Sequence, residues 1–422
     1  VDRAPAPARI KPDLKRIERD IEALARFRDP GQPGFTRLAF SEKDRRAREH
    51  LAGLMAGEAK LSVRIDAAGN LIGLRPGLAP GPSLMVGSHL DTVRGGGRFD
   101  GVAGVVAGLE LARRFEEEAI RTRHSLEVVV FLAEEPSPFG LSAVGSRALA
   151  GRLPAELLGS RRDDQGRTLA QALALMGGDP DRLEEARRRP GQILAFLEMH
   201  VEQGRRLFDQ GLPLGLVSGL VGILRGRIEV RGRADHAGAT PMAARRDALA
   251  AAAEAVLALE DICRREEGLV GTVGRLEIRP NSPNVVPGAA GLDLEIRSLS
   301  RDQAEAAAGR LGEALARIQA RRGLEISLDL ALSSPPVSFD RGLIDLMGRV
   351  CRGLGLTCLE MPSGAGHDAA NLAKVAPAGM IFIPSREGRS HCPEEWSEFE
   401  HLGLGLEVMA GTILQLDRDG SA

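Results

Sequence analysis

Five of the eight histidines, His89, His200, His236, His367 and His391, stand in loops rich in glycine, serine or alanine. Imidazole nitrogen beside carboxylate oxygen is a donor set for a divalent metal. The densest case is GSHLDTVRGGGRFDGVAG, residues 87–104, which carries His89, Asp91 and Asp100, with Gly95, Gly96 and Gly97 letting the chain bend back between them. Asp91, two residues beyond His89, is placed to accept from the ring and fix its tautomer, as a residue behind a metal ligand does. A second acidic stretch is Ala133-Glu134-Glu135-Pro136. One carboxylate there could bind metal while its neighbour moves protons. Adjacent residues of an extended chain point to opposite sides, so the loop must bend for both to serve one site, and Pro136 is the expected bend. Each stretch has a plainer alternative: an ordinary polar loop, a solvated acidic turn, a structural histidine. Several such stretches, each at the end of an apolar run, are harder to dismiss.

Those runs predict the elements that position the chemistry. Residues 84–86, 126–132, 193–199 and 380–383 read as short buried strands, the second of them parallel. They deliver His89, the Glu134–Glu135 pair, His200 and His391 to strand ends, where open α/β sheets bind ligands. Residues 12–29, 40–57, 341–354 and 396–416 have helical apolar spacing, a helix follows the first loop to about residue 119, and 61–74 reads as a hairpin turning at Gly69-Asn70. Residues 152–195 read as charged and helical, with breaks at Gly177-Gly178 and Pro190-Gly191. From about residue 212 the pattern changes: 223–232 alternates apolar and charged residues as a strand with one wet face does, 269–278, 291–296 and 324–332 also read as strands, and 245–264 and 302–321 as helices. Two helices among four strands predict an antiparallel sheet with helices on one face. The chain therefore reads as one α/β domain, residues 1–212 and 333–422, interrupted by an α+β insert, 213–332. His50, His124 and His401 lie in charged helical or linking stretches and read as surface residues.

Composition narrows the partners. Of 56 basic residues only five are lysine, net charge is −2, and there is no tyrosine, so neither a basic run nor stacking aromatics point to nucleic acid. No apolar run approaches the ~18 residues of a membrane span. The start, VDRAPAPARIKPD, lacks the apolar stretch of a signal peptide and reads as a loose arm of a trimmed chain. Cys263, Cys351, Cys358 and Cys392 have no paired spacing and read as reduced thiols in a cytoplasmic protein.

Taken in order, GSHLDTVRGGGRFDGVAGVVAGLE, FLAEEPSPFG, EMHVEQG, GRADHAGATPM, NSPNVVPG, SGAGHDA and SHCPEE resemble the amidohydrolase branch of the dinuclear-metal aminoacylase/carboxypeptidase superfamily. That branch includes N-carbamoyl-L-amino acid hydrolases, β-ureidopropionases and allantoate amidohydrolases. The resemblance runs from about residue 60 to 400. It implies a mostly parallel, helix-flanked catalytic domain and an inserted α+β domain that dimerises and acts as a lid. It implies two divalent ions, zinc or manganese with cobalt or nickel possible: His89, Asp100 and His200 for one, Asp100, Glu135 and His391 for the other. The ions would share a hydroxide, with Glu134 as general base and acid. His236 would reach the site of the other subunit of a homodimer and stabilise the oxyanion. Asn284 and Arg297 would grip a substrate carboxylate, with Gln203, Gly364 and Gly366 lining the pocket. His367 and Asp368 are assigned a structural or supporting role.

Two features separate this branch from the peptidases of the superfamily: only ten residues lie between His89 and Asp100, and His200 stands where the peptidases usually carry Asp or Glu. One departs from the branch: Pro136-Ser137-Pro138-Phe139 replaces the usual Gly-Ser-Arg-Phe, which bears on loop shape and substrate choice and removes no ligand. The expected activity is hydrolysis of a carbamoyl or ureido C–N bond of a small molecule, with N-acyl-amino-acid deacylase or dipeptidase as the alternative.

Overall fold

The structure, a computed structural model, describes residues 9–419. The Pro/Ala-rich start, expected as a loose arm, lies mostly outside them. The described chain divides into two compact units, one of residues up to 218 and from 339 onward, the other of Gly219–Ser338.

In the first unit four strands run parallel in the order Leu126–Phe131, Ser83–His89, Ile193–Val201 and Ala378–Ile383. Three of them are buried at every position, and the fourth at all but one. That is why they read as continuous apolar runs: both faces are covered. The helix Val102–Glu117 lies across Ser83–His89, Leu126–Phe131 and Ile193–Val201. Its Val105, Leu109 and Ala112 are fully enclosed, the larger side chains stabilising by roughly 1.5–3 kcal/mol each. The hairpin Ser62–Ile65 with Leu71–Arg75 extends one edge antiparallel, and Leu214–Leu220 pairs antiparallel with Ala378–Ile383.

Three expectations are corrected. Residues 152–195 form only short pieces, Glu156–Ser160, Leu169–Leu175 and a 3-10 turn Pro180–Ala186, before the strand Ile193–Val201. The strand Cys358–Ser363 was not anticipated, because CLEMPS is neither continuously apolar nor cleanly alternating. His124 is buried rather than on the surface: its ring Nδ1 lies 3.1 Å from Asp417, which also accepts from the main-chain amides of Arg123 and His124.

The second unit is a four-stranded antiparallel sheet in the order Glu325–Ser334, Gly222–Arg231, Ala289–Ser298 and Val270–Arg279. Helices Ala248–Arg264 and Arg301–Arg322 share one core with it, around Ile228, Leu292, Ala255 and Leu311. Alternate residues carry charge instead: Arg227 pairs with Glu229, Glu277 and Asp293. Among the described residues no helix is long and apolar enough to cross a membrane.

Arg37 joins the fold of the first unit to its strand ends. It is 2% exposed and donates to the carbonyls of Leu24 and Leu90 at 2.8 Å and of Phe27 at 3.2 Å. Leu24 and Phe27 lie at and just past the end of helix Leu14–Ala25, where carbonyls lack helical partners; Leu90 directly follows His89. Replacing Arg37 by Met removes the guanidinium donor from the Leu90 and Phe27 carbonyls, leaves Leu24 only its main-chain donor, and is expected to lower stability by about 3 kcal/mol in urea unfolding. Arg182→Met, at an exposed pair, is expected to stay within about 0.5 kcal/mol.

Candidate functional site

The C-terminal ends of the four parallel strands and the loops that follow them converge on Asp100, which is 4% exposed. One carboxylate oxygen lies 3.1 Å from His200 Nε2 and 3.5 Å from His89 Nε2, the other 3.2 Å from His391 Nε2. His391 Nε2 is also 3.3 Å from Glu135. Two groups result, His89–Asp100–His200 and Asp100–Glu135–His391, in each of which the donor atoms lie within 4.8 Å of one another. Donors around a tetrahedral zinc, at about 2.1 Å from it, stand about 3.4 Å apart. Asp100 belongs to both groups.

The histidines are oriented from behind. His89 Nδ1 lies 2.9 Å from the main-chain carbonyl of Asp91, and His200 Nδ1 2.9 Å from that of Val201. A carbonyl only accepts, so Nδ1 carries the hydrogen and Nε2 is left to face Asp100. This corrects the role expected for the Asp91 side chain, whose carboxylate is 3.8 Å from the ring. That carboxylate instead accepts from the amides of Glu134 and Glu135, at 3.3 and 2.9 Å. The bend that turns both glutamates inward is also not at Pro136. It is at Ala133, with φ 54°, in the left-handed region that disfavours a side chain. Gln203 and His391 share that conformation, φ 58° and 55°. Such backbone costs roughly 1–3 kcal/mol per residue and concentrates at functional sites. At Gly101, φ 67°, the requirement is absolute: a Cβ would stand 2.5 Å from the His89 ring.

Electrostatics reflect crowded carboxylates. Burial raises the Glu134 carboxyl well above its usual range, Asp368, Glu135 and Asp91 adding to it while His89 opposes. Burial would also raise Asp100, but His200, His391 and His89 hold it well below. The imidazoles respond in kind. Burial opposes the charge on His89 and His200, yet the carboxylates around them, Asp100 above all, raise both. Hydrogen bonds to Asp100 and Glu135 raise His391 to about 10. Protons drawn to these rings, or divalent cations set among them, would balance the acidic cluster, and inward Nε2 atoms with hard carboxylate oxygens suit cations.

Other expected residues fall as follows. Gln203 Nε2 is 2.8 Å from Asp100 and 3.1 Å from His391. A cavity of about 190 Å³ opens on the cluster, and Pro136, Ser142, Gln203, Ala365 and Gly366 help line it; Gly364 is not in its lining. His367 packs its ring 4.4 Å from that of His200 and lies 3.0 Å from Ser363 Oγ. In the second unit His236 and Asn284 come together: the ribbon of Asp235–His236 with Val285–Val286 sets His236 opposite Val285, and Asn284 O accepts from Ala237 N. His236 Nδ1 accepts from the amides of Gly238 and Ala239, both at 3.1 Å, which leaves Nε2–H as the outward donor of the neutral ring. Arg297 lies on Ala289–Ser298 and pairs with Glu295 at 2.6 Å.

Two buried carboxylates were missed. Glu395 accepts from the amides of Phe99 and Asp100, at 2.9 and 3.0 Å, and from Ser390. It fills the space where a Cβ on Gly97 would stand, 2.2 Å away. Its place four residues after His391 was the available signal. Glu198, two residues before His200 on one strand face, accepts from Ser88 Oγ at 2.7 Å and from Ala369 N at 3.1 Å. A glutamate inside an apolar strand was the signal there.

The comparisons agree with this geometry. The model of peptidase family M20/M25/M40 matches residues 85–415. The N-carbamoyl-L-amino acid amidohydrolase of Geobacillus stearothermophilus is 43% identical over 387 residues, 91% of this chain and 93% of its own. The enzyme of the same name from Paenarthrobacter aurescens is 39% identical, over 97% and 99%. The crystal structure of a hydantoinase/carbamoylase family amidase from Burkholderia ambifaria superposes with a TM-score of 0.89 at 35% identity, over 97% of this chain and 98% of its own. With the match spanning every strand end that feeds the Asp100 cluster, the chain belongs to peptidase family M20/M25/M40 and is a metal-dependent hydrolase of its amidohydrolase branch.

Proposed function

We propose that the chain hydrolyses the carbamoyl C–N bond of N-carbamoyl-L-amino acids, releasing the free amino acid and a carbamate that decays to ammonia and carbon dioxide. The observation that carries this reading is the 43% identity to an enzyme named for that reaction, along nearly its whole length. Such relatives favour it over N-acyl deacylation or dipeptide cleavage. The residues of the first unit would divide the labour around the substrate. Two divalent cations, one on His89, Asp100 and His200 and the other on Asp100, Glu135 and His391, would supply positive charge that polarises the carbonyl and makes water acidic near neutral pH. Zinc or manganese suits these donors, and cobalt or nickel is tolerated. Glu134 would take a proton from the attacking water and return it to the leaving amino nitrogen.

The remaining assignments rest on the family resemblance. Residues 213–332 would form the dimerising lid. His236 of the partner subunit would donate Nε2–H to the developing oxyanion. Asn284 and Arg297 would hold the substrate carboxylate, and Gln203 and Gly366 would line the cavity beside Asp100. Four free cysteines fit a reducing, cytoplasmic setting.

The deciding experiment is a substrate panel of N-carbamoyl and N-acetyl amino acids, dipeptides, ureidopropionate and allantoate, with the chain loaded with zinc or manganese. Carbamoyl amino acids should turn over fastest; a clear preference for acetyl or peptide substrates would overturn the reading. Glu134→Gln should retain metal while losing at least about 100-fold in turnover. Mixed with His236→Ala it should regain part of the activity, because each mixed dimer rebuilds one intact site; no recovery after verified subunit exchange would refute the shared site.

Metal binding should also depend on pH with a definite sign. In the metal-free chain the carboxylates around His89, His200 and His391 strengthen each ring's hold on a proton. A cation needs bare nitrogens, so loading must expel protons, and affinity must rise as pH rises through neutrality. Titration calorimetry in buffers of different ionisation enthalpy should give different heats, and equal heats would contradict this ligand set.

A further inference from the structure

Two cysteines of the first unit have no part in the chemistry above. Cys351 is in the last turn of helix Arg341–Gly353, and Cys358 opens the strand Cys358–Ser363. A tight turn returns the chain between them: the amides of Leu354 and Leu356 both donate to the Cys351 carbonyl, and Gly355 takes φ 73°. The turn makes neighbours of the two thiols, each the largest influence on the other's proton affinity. They differ in access. Cys351 is fully buried, whereas Cys358 is half-buried and lines a cavity of about 340 Å³. Arg341, Arg349 and Arg352 line that same cavity. Arg341 is spent on Asp345 and Glu360, while Arg349 and Arg352 make no ion pair among the described residues. The hydrogen bond from Cys351 holds the Cys358 thiol below the usual range; burial and Glu360 oppose that, and Arg352 supports it. Cys351 is shifted the opposite way, first by Cys358 and then by burial.

A half-buried thiol opening on a cavity, a second thiol next to it and arginines lining the same cavity are the parts of a peroxide-reactive pair. We propose that Cys358 is a site of oxidation by hydroperoxides, with Cys351 as the thiol that resolves it. The Cys358 thiolate attacks one peroxide oxygen, forming S–O and breaking O–O, and the departing hydroxide takes up a proton to become water. Cys351 then attacks the Cys358 sulfur, forming S–S and breaking S–O; the second hydroxide leaves with the Cys351 proton, again as water. The two sulfurs lose two electrons together and the peroxide gains them. Arg352 supports the negative charge at the start of the first step. The crosslink would tie the end of helix Arg341–Gly353 to the strand whose last residue, Ser363, holds His367.

The test uses the full chain, reduced and then exposed to one equivalent of hydrogen peroxide, with intact-mass measurement and peptide mapping. The chain should lose two hydrogens, and the link should join Cys351 to Cys358. In Cys351→Ser the oxidised Cys358 should gain one oxygen and be captured by a 1,3-dione. In Cys358→Ser, Cys351 should remain a thiol. Cys358 should react at least about tenfold faster than Cys263, whose thiol burial pushes up. Absence of the link in the parent chain, a link through Cys263 or Cys392, or oxidation of Cys351 in Cys358→Ser would each overturn the proposal. The parent-chain map and Cys358→Ser, altered at a half-exposed position, decide the matter even if the buried Cys351→Ser change prevents folding.

Discussion

A buried carboxylate with three imidazoles around it sets the terms for the first unit. Asp100 is shut off from water, and the three ring nitrogens that face it come from three different segments of the chain. A charge so placed must be balanced locally, by protons on the rings or by cations among them. Everything nearby serves to keep the balancing groups in place. The carbonyls of Asp91 and Val201 fix two rings, Glu395 clamps the amides around Asp100, and the Asp91 carboxylate clamps those of Glu134 and Glu135. Strain is accepted where the clamping demands it, at Ala133, Gln203 and His391.

The parallel sheet makes the convergence possible. Its strands are apolar along their length, so they bury without polar cost, and their C-terminal ends all face one edge where the polar loops gather. Burying charge at such an edge needs compensation from beneath. Arg37 supplies part of it, its charge acting on Asp44 and Asp91 while it also satisfies the Leu90 carbonyl just after His89. The second unit solves a simpler problem. Its one-faced antiparallel sheet covers a core with two helices, and a short ribbon holds His236 in a defined tautomer beside Asn284.

Much of this was legible in the residues themselves. Period-two alternation in 223–232 and continuous apolar runs at 126–132 and 193–199 encode which strands have one wet face and which have none. His89, Asp100, Glu134, Glu135, His200 and His391 announced themselves as metal-type side chains just past such runs. The strand Cys358–Ser363 was not legible, because its pattern matches neither period and its pairing with Leu214–Leu220 is what makes it a strand. Nor was the burial of His124, which depends on Asp417 nearly three hundred residues away.

The division follows from range. Side-chain type, periodicity and turn residues are local properties, and they determined the strands, the insert and the roster of possible ligands. Which atom fixes the His89 tautomer, where the chain bends before Glu134, why Gly97 has no side chain and how two cysteines come into contact were decided by tertiary packing. Each depends on a partner whose distance in space is unrelated to its distance along the chain, and no local pattern encodes that meeting.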